Sequence, residues 1–581
     1  MSKSIGGTWR LALLPALSVV QICGSAQAQS VPGQVSRDAQ RILEQQQQQA
    51  RERAEQFQDR QDRPPSGEVL EQSPEAVGTD GGCTAVHAVR IVGMTRYRDT
   101  DFNGEIGSLN GPCTSISAID LALRAITNRY VKDGFVTSRA FVGPQDLKAG
   151  ALTITVIEGR VSNLQPVADP DGGKRYGPRE IAAAFPTGSG KILNLRALEQ
   201  GVDQLARMGK GDPKIDIAPG ETPGTSTVLI KRQPLARWVR PSLVFNNEGA
   251  ASTGRWQGTA GLDVDSLLGF GEAWSFYYQR SFQYGAERGS HAVGGFVALP
   301  HGWWTLSLSG GSSAYHSVLE GNGLRFGSEG RTWNGSATLD RMVYRDASNK
   351  LSISAGISLL DTENAIQGIR LQTGSYRIVT AQLGSRWQRR IGKSQFSLAA
   401  GYDRGLDILG AETVDTGPGG ATGRYDLVTG EAALQTPLAI GPTRLTNTAL
   451  MRGQWGFDNL FPAQRFSLGG SSTVRGFRDD GISGRSGVLL RDQLSFGITD
   501  VAKASPHLAS ILSGYLAYDI GAIRPHQDDP YERGVLQSLS AGFKAQSRHL
   551  QAELSIAVPV SAPSWVRTST ALVSTSIRIL L

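Results

Sequence analysis

Seven histidines are scattered through 581 residues, and no Gly-x-Ser-x-Gly stretch offers a serine on a tight turn, so no convincing nucleophile and base set for hydrolysis assembles. Of three cysteines, Cys23 directly follows an apolar N-terminal run and falls within the segment read below as a signal peptide, which leaves Cys83 and Cys113. An isolated pair lacks the closely spaced further ligands that a metal needs, and in an oxidising compartment it reads as a disulfide, with two buried free thiols as the alternative. A long stretch dense in glycine and charge contains Ser467-Leu468-Gly469-Gly470-Ser471-Ser472-Thr473-Val474-Arg475-Gly476-Phe477-Arg478. Its composition alone is that of an ordinary surface loop.

What positions these residues is set by compartment. Lys3 and Arg10 precede an apolar run from Leu11 to Ile22, and Ala26-Gln27-Ala28 offers a cleavage site. Residues 1–28 therefore read as a signal peptide; the run is too short to serve as a comfortable membrane anchor. Their removal takes away two positive charges and no negative ones, so +7 becomes +5. Such a small charge on so long a chain is no nucleic-acid footprint. Nothing downstream approaches the run of apolar residues that a membrane helix requires, so a membrane-embedded form must be a closed barrel.

Residues 29–82 are polar, with five consecutive glutamines from Gln45 to Gln49. Ser36 to Gln61 favours helix but has little to bury, and Pro64-Pro65-Ser66-Gly67 opens a linker. Residues 83–160 and 161–234 each read as a small α+β module. In the first, Ile116, Ile119, Leu123, Ile126 and Tyr130 fall on one helix face, Gly134 stops the helix, and strands are expected over 85–92, 135–142 and 152–157. In the second, Asn194 caps a helix carrying Leu195, Leu198, Val202, Leu205 and Met208, with Gly209 at its end and strands near 214–218 and 225–231.

From residue 235 to 581 a two-residue alternation replaces the helical period. Leu351, Ile353, Ala355, Ile357 and Leu359 alternate with Ser352, Ser354, Gly356 and Ser358, and Phe396, Leu398, Ala400 and Tyr402 repeat the pattern. Sixteen such runs begin between residues 238 and 568. The expectation is a 16-stranded antiparallel transmembrane β-barrel with both ends on one side and a long external loop, 457–484, between strands eleven and twelve. A soluble sandwich or propeller is disfavoured by the export signal, the small polar residues on one face, and the lack of blade repeats.

The Val474-Arg475-Gly476-Phe477 stretch resembles the sixth-loop tip of the Omp85 superfamily, and Gly514 to Gly521 resembles the strand that supplies an inward acid, here Asp519. Tyr130 to Ala140, Gln145-Asp146-Leu147 and Leu152 to Gly159 resemble the first POTRA domain of two-partner secretion transporters of the hemolysin-activator and filamentous-haemagglutinin type. Phe185-Pro186 and Leu193 to Gly201 resemble the second. The Cys83/Cys113 pair fits the same family. One departure is the terminal Leu581, where many such barrels end in phenylalanine.

The resemblance implies that Arg475 pairs with Asp519 to hold the loop inside the barrel, and that 36–61 is a helix plugging the resting lumen. A solvated periplasmic segment is the alternative for 36–61. It further implies outer-membrane localisation with the POTRA modules in the periplasm, and export of one large exoprotein, a hemolysin, adhesin or toxin bearing an N-terminal secretion domain. No cofactor, metal or nucleotide hydrolysis is expected. Outer-membrane lipid surrounds the barrel, and the barrel-assembly machinery is a partner during biogenesis. Competing readings are a barrel-assembly factor of the same superfamily and a passive porin.

Overall fold

The computed structural model describes residues 82–581 apart from 168–175, 209–212, 233–237, 283–286, 322–323, 413–419, 442, 499–510 and 528. The expected signal peptide, the helix at 36–61 and the stop at Gly209 lie outside the described residues.

Sixteen long antiparallel strands run from Val239–Asn246 to Leu572–Leu580 and close into one barrel through the pairing of the last strand with the first, from Leu580 opposite Ser242 to Ser576 opposite Asn246. Sheet register sorts the side chains. Across the wall Arg491, Asp519 and Ser538 stand in one row, and Leu490, Ile520 and Gln537 in the next. Asp519, Ser538 and Ser540 are buried, whereas Leu516, Tyr518, Leu539 and Phe543 are exposed on the outer surface. A band of exposed leucine, isoleucine and aromatic side chains around a polar interior is stable only against hydrocarbon. No helix among the described residues is long and apolar enough to cross a membrane.

The first module packs the helix Ile116–Lys132 on a three-stranded sheet in which Ala151–Ile157 lies between Ala88–Val92, parallel to it, and Arg139–Phe141. Ser115 caps the helix by accepting from the Ala118 amide, and Gly134, at φ +95°, ends it as Phe135 N–H reaches back to the Tyr130 carbonyl. Ile126, Tyr130, Leu152 and Ile154 form the core; Ile116, expected on the same face, stays exposed in the first turn. Two strand expectations are corrected. The run 85–92 splits at His87, because the Gly150 carbonyl takes both the His87 and Ala88 amides. The run 135–142 shrinks to Arg139–Phe141, because residues 135–138 are consumed by the turn that Gly134 opens. Cys83 and Cys113 form a disulfide that ties Thr84–Val86 to Gly111–Thr114.

The second module repeats the plan: Arg160–Val167 pairs parallel with Thr225–Arg232, which pairs with Pro213–Pro219, and the helices Pro178–Ala184 and Leu195–Arg207 accompany the sheet. Asn194 caps the longer helix by accepting from the amides of Arg196 and Ala197. The strand 160–167 and the short helix had no clear sequence signal. In Arg160–Val167 only Val161 is fully buried, so the alternation is faint.

The loop that the barrel clasps

The connection between strand eleven, Thr443–Gly456, and strand twelve, Gly487–Gly497, leaves the rim opposite the modules and turns back into the lumen. Its base is a short hairpin, Phe466–Leu468 against Ile482–Gly484. Gly469 and Gly470, at φ +120° and +119°, begin the inward turn, and Thr473 Oγ1 accepts from the Gly469 amide.

At the tip, Arg475 Nε and Nη2 each donate to one oxygen of Asp519 at 2.7 Å, and the Arg475 backbone N–H adds a third bond at 3.1 Å. The two-pronged geometry matches a planar guanidinium to a planar carboxylate. Asp519 sits on strand thirteen, Ile511–Ile523, and is completely buried. Val474 and Phe477 flank the pair, buried in an apolar cluster with Leu468, Ile482, Leu489 and Leu536. Gly476 takes φ +100° hard against Pro559, where a Cβ would lie 3.3 Å from the proline nitrogen.

Two contributors to the clasp, Arg491 and Gln493, carried no sequence signal that could single them out. Arg491, on strand twelve, donates to the Ser472 carbonyl at 2.5 Å and the Ser471 carbonyl at 3.2 Å, and its Nε lies 3.4 Å from Asp519. Gln493 accepts from Arg475 Nη1 at 3.1 Å. Beyond the tip, Arg478 donates to Ser574 of the last strand, while Asp479 pairs with Arg255 at 2.7 Å and Asp480 with Arg567 at 3.2 Å. The loop thus spans the lumen from strand thirteen to the seam between the first and last strands. Beside it lies a polar cavity of about 680 Å³, lined by groups that include Arg240, Gln257, Gln279, Arg452 and Ser574. No group of histidine, cysteine and carboxylate side chains among the described residues could hold a metal ion.

A closed sixteen-strand barrel, two preceding modules and an inward loop define an outer-membrane transporter of the POTRA and barrel class. Family models agree: a ShlB-type POTRA domain matches residues 84–159, a POTRA domain matches 166–219, and the haemolysin secretion/activation protein ShlB/FhaC/HecB family matches 224–545. The chain belongs to that haemolysin secretion/activation family, whose members act in two-partner secretion with their POTRA domains in the periplasm. The outer membrane transporter CdiB of Escherichia coli is 28% identical over 557 residues, covering 95% of this chain and 91% of that relative. The hemolysin transporter protein ShlB of Serratia marcescens is 27% identical over 466 residues, 79% of each chain. Among solved structures, CdiB from Escherichia coli superposes with a TM-score of 0.83 at 27% identity, covering 96% of this chain and 100% of that one.

Proposed function

We propose that this transporter passes one large exoprotein through its lumen in extended form, and that Arg475 and Asp519 hold the sixth loop in the export-competent position. The paired carboxylate and guanidinium at the loop tip carry this reading. A buried ion pair stabilises a fold poorly in comparison with apolar packing, but it fixes one geometry, because either partner alone is strongly disfavoured. Val474, Gly476 and Phe477 let the tip turn and anchor it.

The modules receive the exoprotein's N-terminal secretion domain. Arg139–Phe141 and Pro213–Pro219 each pair on one side only among the described residues, so both offer a free edge to an extended chain. Folding of the exoprotein outside the cell biases the direction of movement, with no nucleotide hydrolysis and no enzymatic step. Lipid surrounds the outer wall, and the barrel-assembly machinery inserts the chain during biogenesis.

Arg475→Ala is expected to stop release of the co-expressed exoprotein while the barrel remains membrane-inserted and heat-modifiable in electrophoresis. Normal export by that variant overturns the assignment.

A further inference from the structure

The helix Leu195–Arg207 is amphipathic, so its polar face is the one that solvent should claim. Yet Gln200 and Gln204 on that face are 2% and 0% exposed. What covers them is the barrel. Gln204 Nε2 donates to the carbonyls of Gly302 at 2.8 Å and Trp304 at 3.1 Å, and Gln200 Nε2 reaches the same Gly302 carbonyl at 3.2 Å. Gly302 N–H in turn donates to Ala183 of the short helix at 2.7 Å.

Next to this hydrogen-bonded patch lies an alternating chain of charge. Arg345 donates to Glu199 at 3.2 Å and to Asp203 at 2.6 Å, Lys350 donates to Asp203 at 2.6 Å, and Arg196 pairs with Glu199 at 2.8 Å. The side chains of Arg345 and Lys350 are only 2% and 5% exposed. A third turn completes the seat, since Gly271 lies against Glu180 and Arg179 stacks over Phe270. The second module therefore rests on the three consecutive turns that join strands two to three, four to five and six to seven. The same helix begins on the first module: Leu195 N–H donates to the Gly134 carbonyl at 2.8 Å, and Asn194 Nδ2 donates to the Asp133 carbonyl at 3.2 Å.

We propose that the second module is a fixed collar on one side of the barrel mouth, with Arg345 and Lys350 as positioning residues, and that export proceeds without its leaving the rim. The inference rests on the secretion reading above and adds where the exoprotein enters. In a ring of sixteen, strands twelve and thirteen, which carry the loop clasp, stand across from strands four and five. A collar fixed over strands two to seven covers none of the rim at strands twelve and thirteen among the described residues, so a chain delivered by the module edges enters along that wall. Parting the surfaces breaks the Gln200 and Gln204 bonds to the turn carbonyls and these charge-assisted bonds all together, which favours a joint that stays closed.

A covalent tether tests this. The Cβ of a residue replacing Gly271 would lie 3.8 Å from the Glu180 Cβ, within disulfide reach, and the single Gly271→Cys variant controls for the strain of a side chain at φ +79°. In the full-length transporter, the oxidised Gly271→Cys/Glu180→Cys protein is expected to secrete its co-expressed exoprotein as the single-cysteine variants do. Arg345→Ala is expected to lower secretion several-fold and to broaden the spin-label distance between Lys214→Cys on the module and Lys393→Cys on a rim turn. Adding the tether to Arg345→Ala should restore secretion when oxidised and lose it when reduced, which a barrel that had simply misfolded would not do. An oxidised tether that blocks export reversibly overturns the proposal, and so does an Arg345→Ala defect that the tether cannot rescue. If the unaltered protein releases no exoprotein, the secretion reading fails instead, and the label distances alone decide the joint.

Discussion

At the loop clasp a single carboxylate, Asp519, faces two guanidiniums, Arg475 and Arg491, whereas at the rim five charges alternate in a chain, Arg196, Glu199, Arg345, Asp203 and Lys350. Each network carries one more cation than anion. The load is distributed differently: in the clasp both cations depend on one acid, while at the rim each interior member keeps a second partner if one is removed. A loop that must be held in one position, and that a single event could release, suits the first arrangement. A joint that should not part suits the second.

The sharpest way to break this contrast is Asp519→Ala, which leaves two buried guanidiniums facing each other. Loss of loop docking by about 3 to 5 kcal/mol is expected. Exoprotein release should vanish, the loop should become accessible to protease, and the barrel should stay heat-modifiable. If the loop remains protected, the apolar anchors Val474 and Phe477 hold it without the ion pair.

Arg491→Ala asks whether the clasp is a pair or a triad. It removes two bonds to loop carbonyls and one long contact to Asp519 but leaves the Arg475 fork intact. A loss of about 1.5 to 3 kcal/mol in loop docking is expected, read as partial protease sensitivity with reduced secretion. An unchanged loop would confine the clasp to Arg475 and Asp519.

At the rim the corresponding cut should be milder. Lys350→Met takes one cation from Asp203, which keeps Arg345, so module docking should weaken by about 1.5 kcal/mol. The spin-label distance across the joint should broaden only slightly. A loss as large as that of Asp519→Ala would mean that the rim network fails as one piece.

The two networks also differed in how far sequence could disclose them. The barrel was legible because alternation is a local property, repeated in run after run, and the clasp because the contiguous Val474 to Phe477 and the strand of Asp519 resemble a known superfamily's loop tip and acid-bearing strand, with the inward parity of Asp519 in agreement. Arg491 was not, since an arginine on a lumen-facing position looks like any other pore-lining charge. The rim joint was still further from view. Asp203 and Arg345 lie 142 positions apart, and nothing in the period of either segment says that they meet. The helix Leu195–Arg207 gave a correct apolar face and so implied a solvated polar one; the barrel beneath it overrode that implication. The strand Arg160–Val167 was missed for a related reason, its single fully buried position leaving no pattern to find.

Acid offers a graded way to compare the joint with the clasp without mutation. Burial alone would push the Asp203 carboxyl up, but the Arg345 guanidinium and the Lys350 ammonium, both hydrogen-bonded to it, hold it below its ordinary value of 3.8. A carboxyl depressed in the folded state contributes stability that is fully present above the unfolded value and is lost as pH falls through the folded one. The joint should therefore be insensitive to pH from neutral down to about 4, and loosen only below that. Spin-label distances between Lys214→Cys and Lys393→Cys, recorded at stepwise lower pH, should stay narrow throughout the upper range. Asp203→Asn should abolish the acid transition and show a broadened distance already at neutral pH. Broadening that begins well above pH 4 in the unaltered protein would mean that Asp203 does not hold the joint, and that another titrating group governs it.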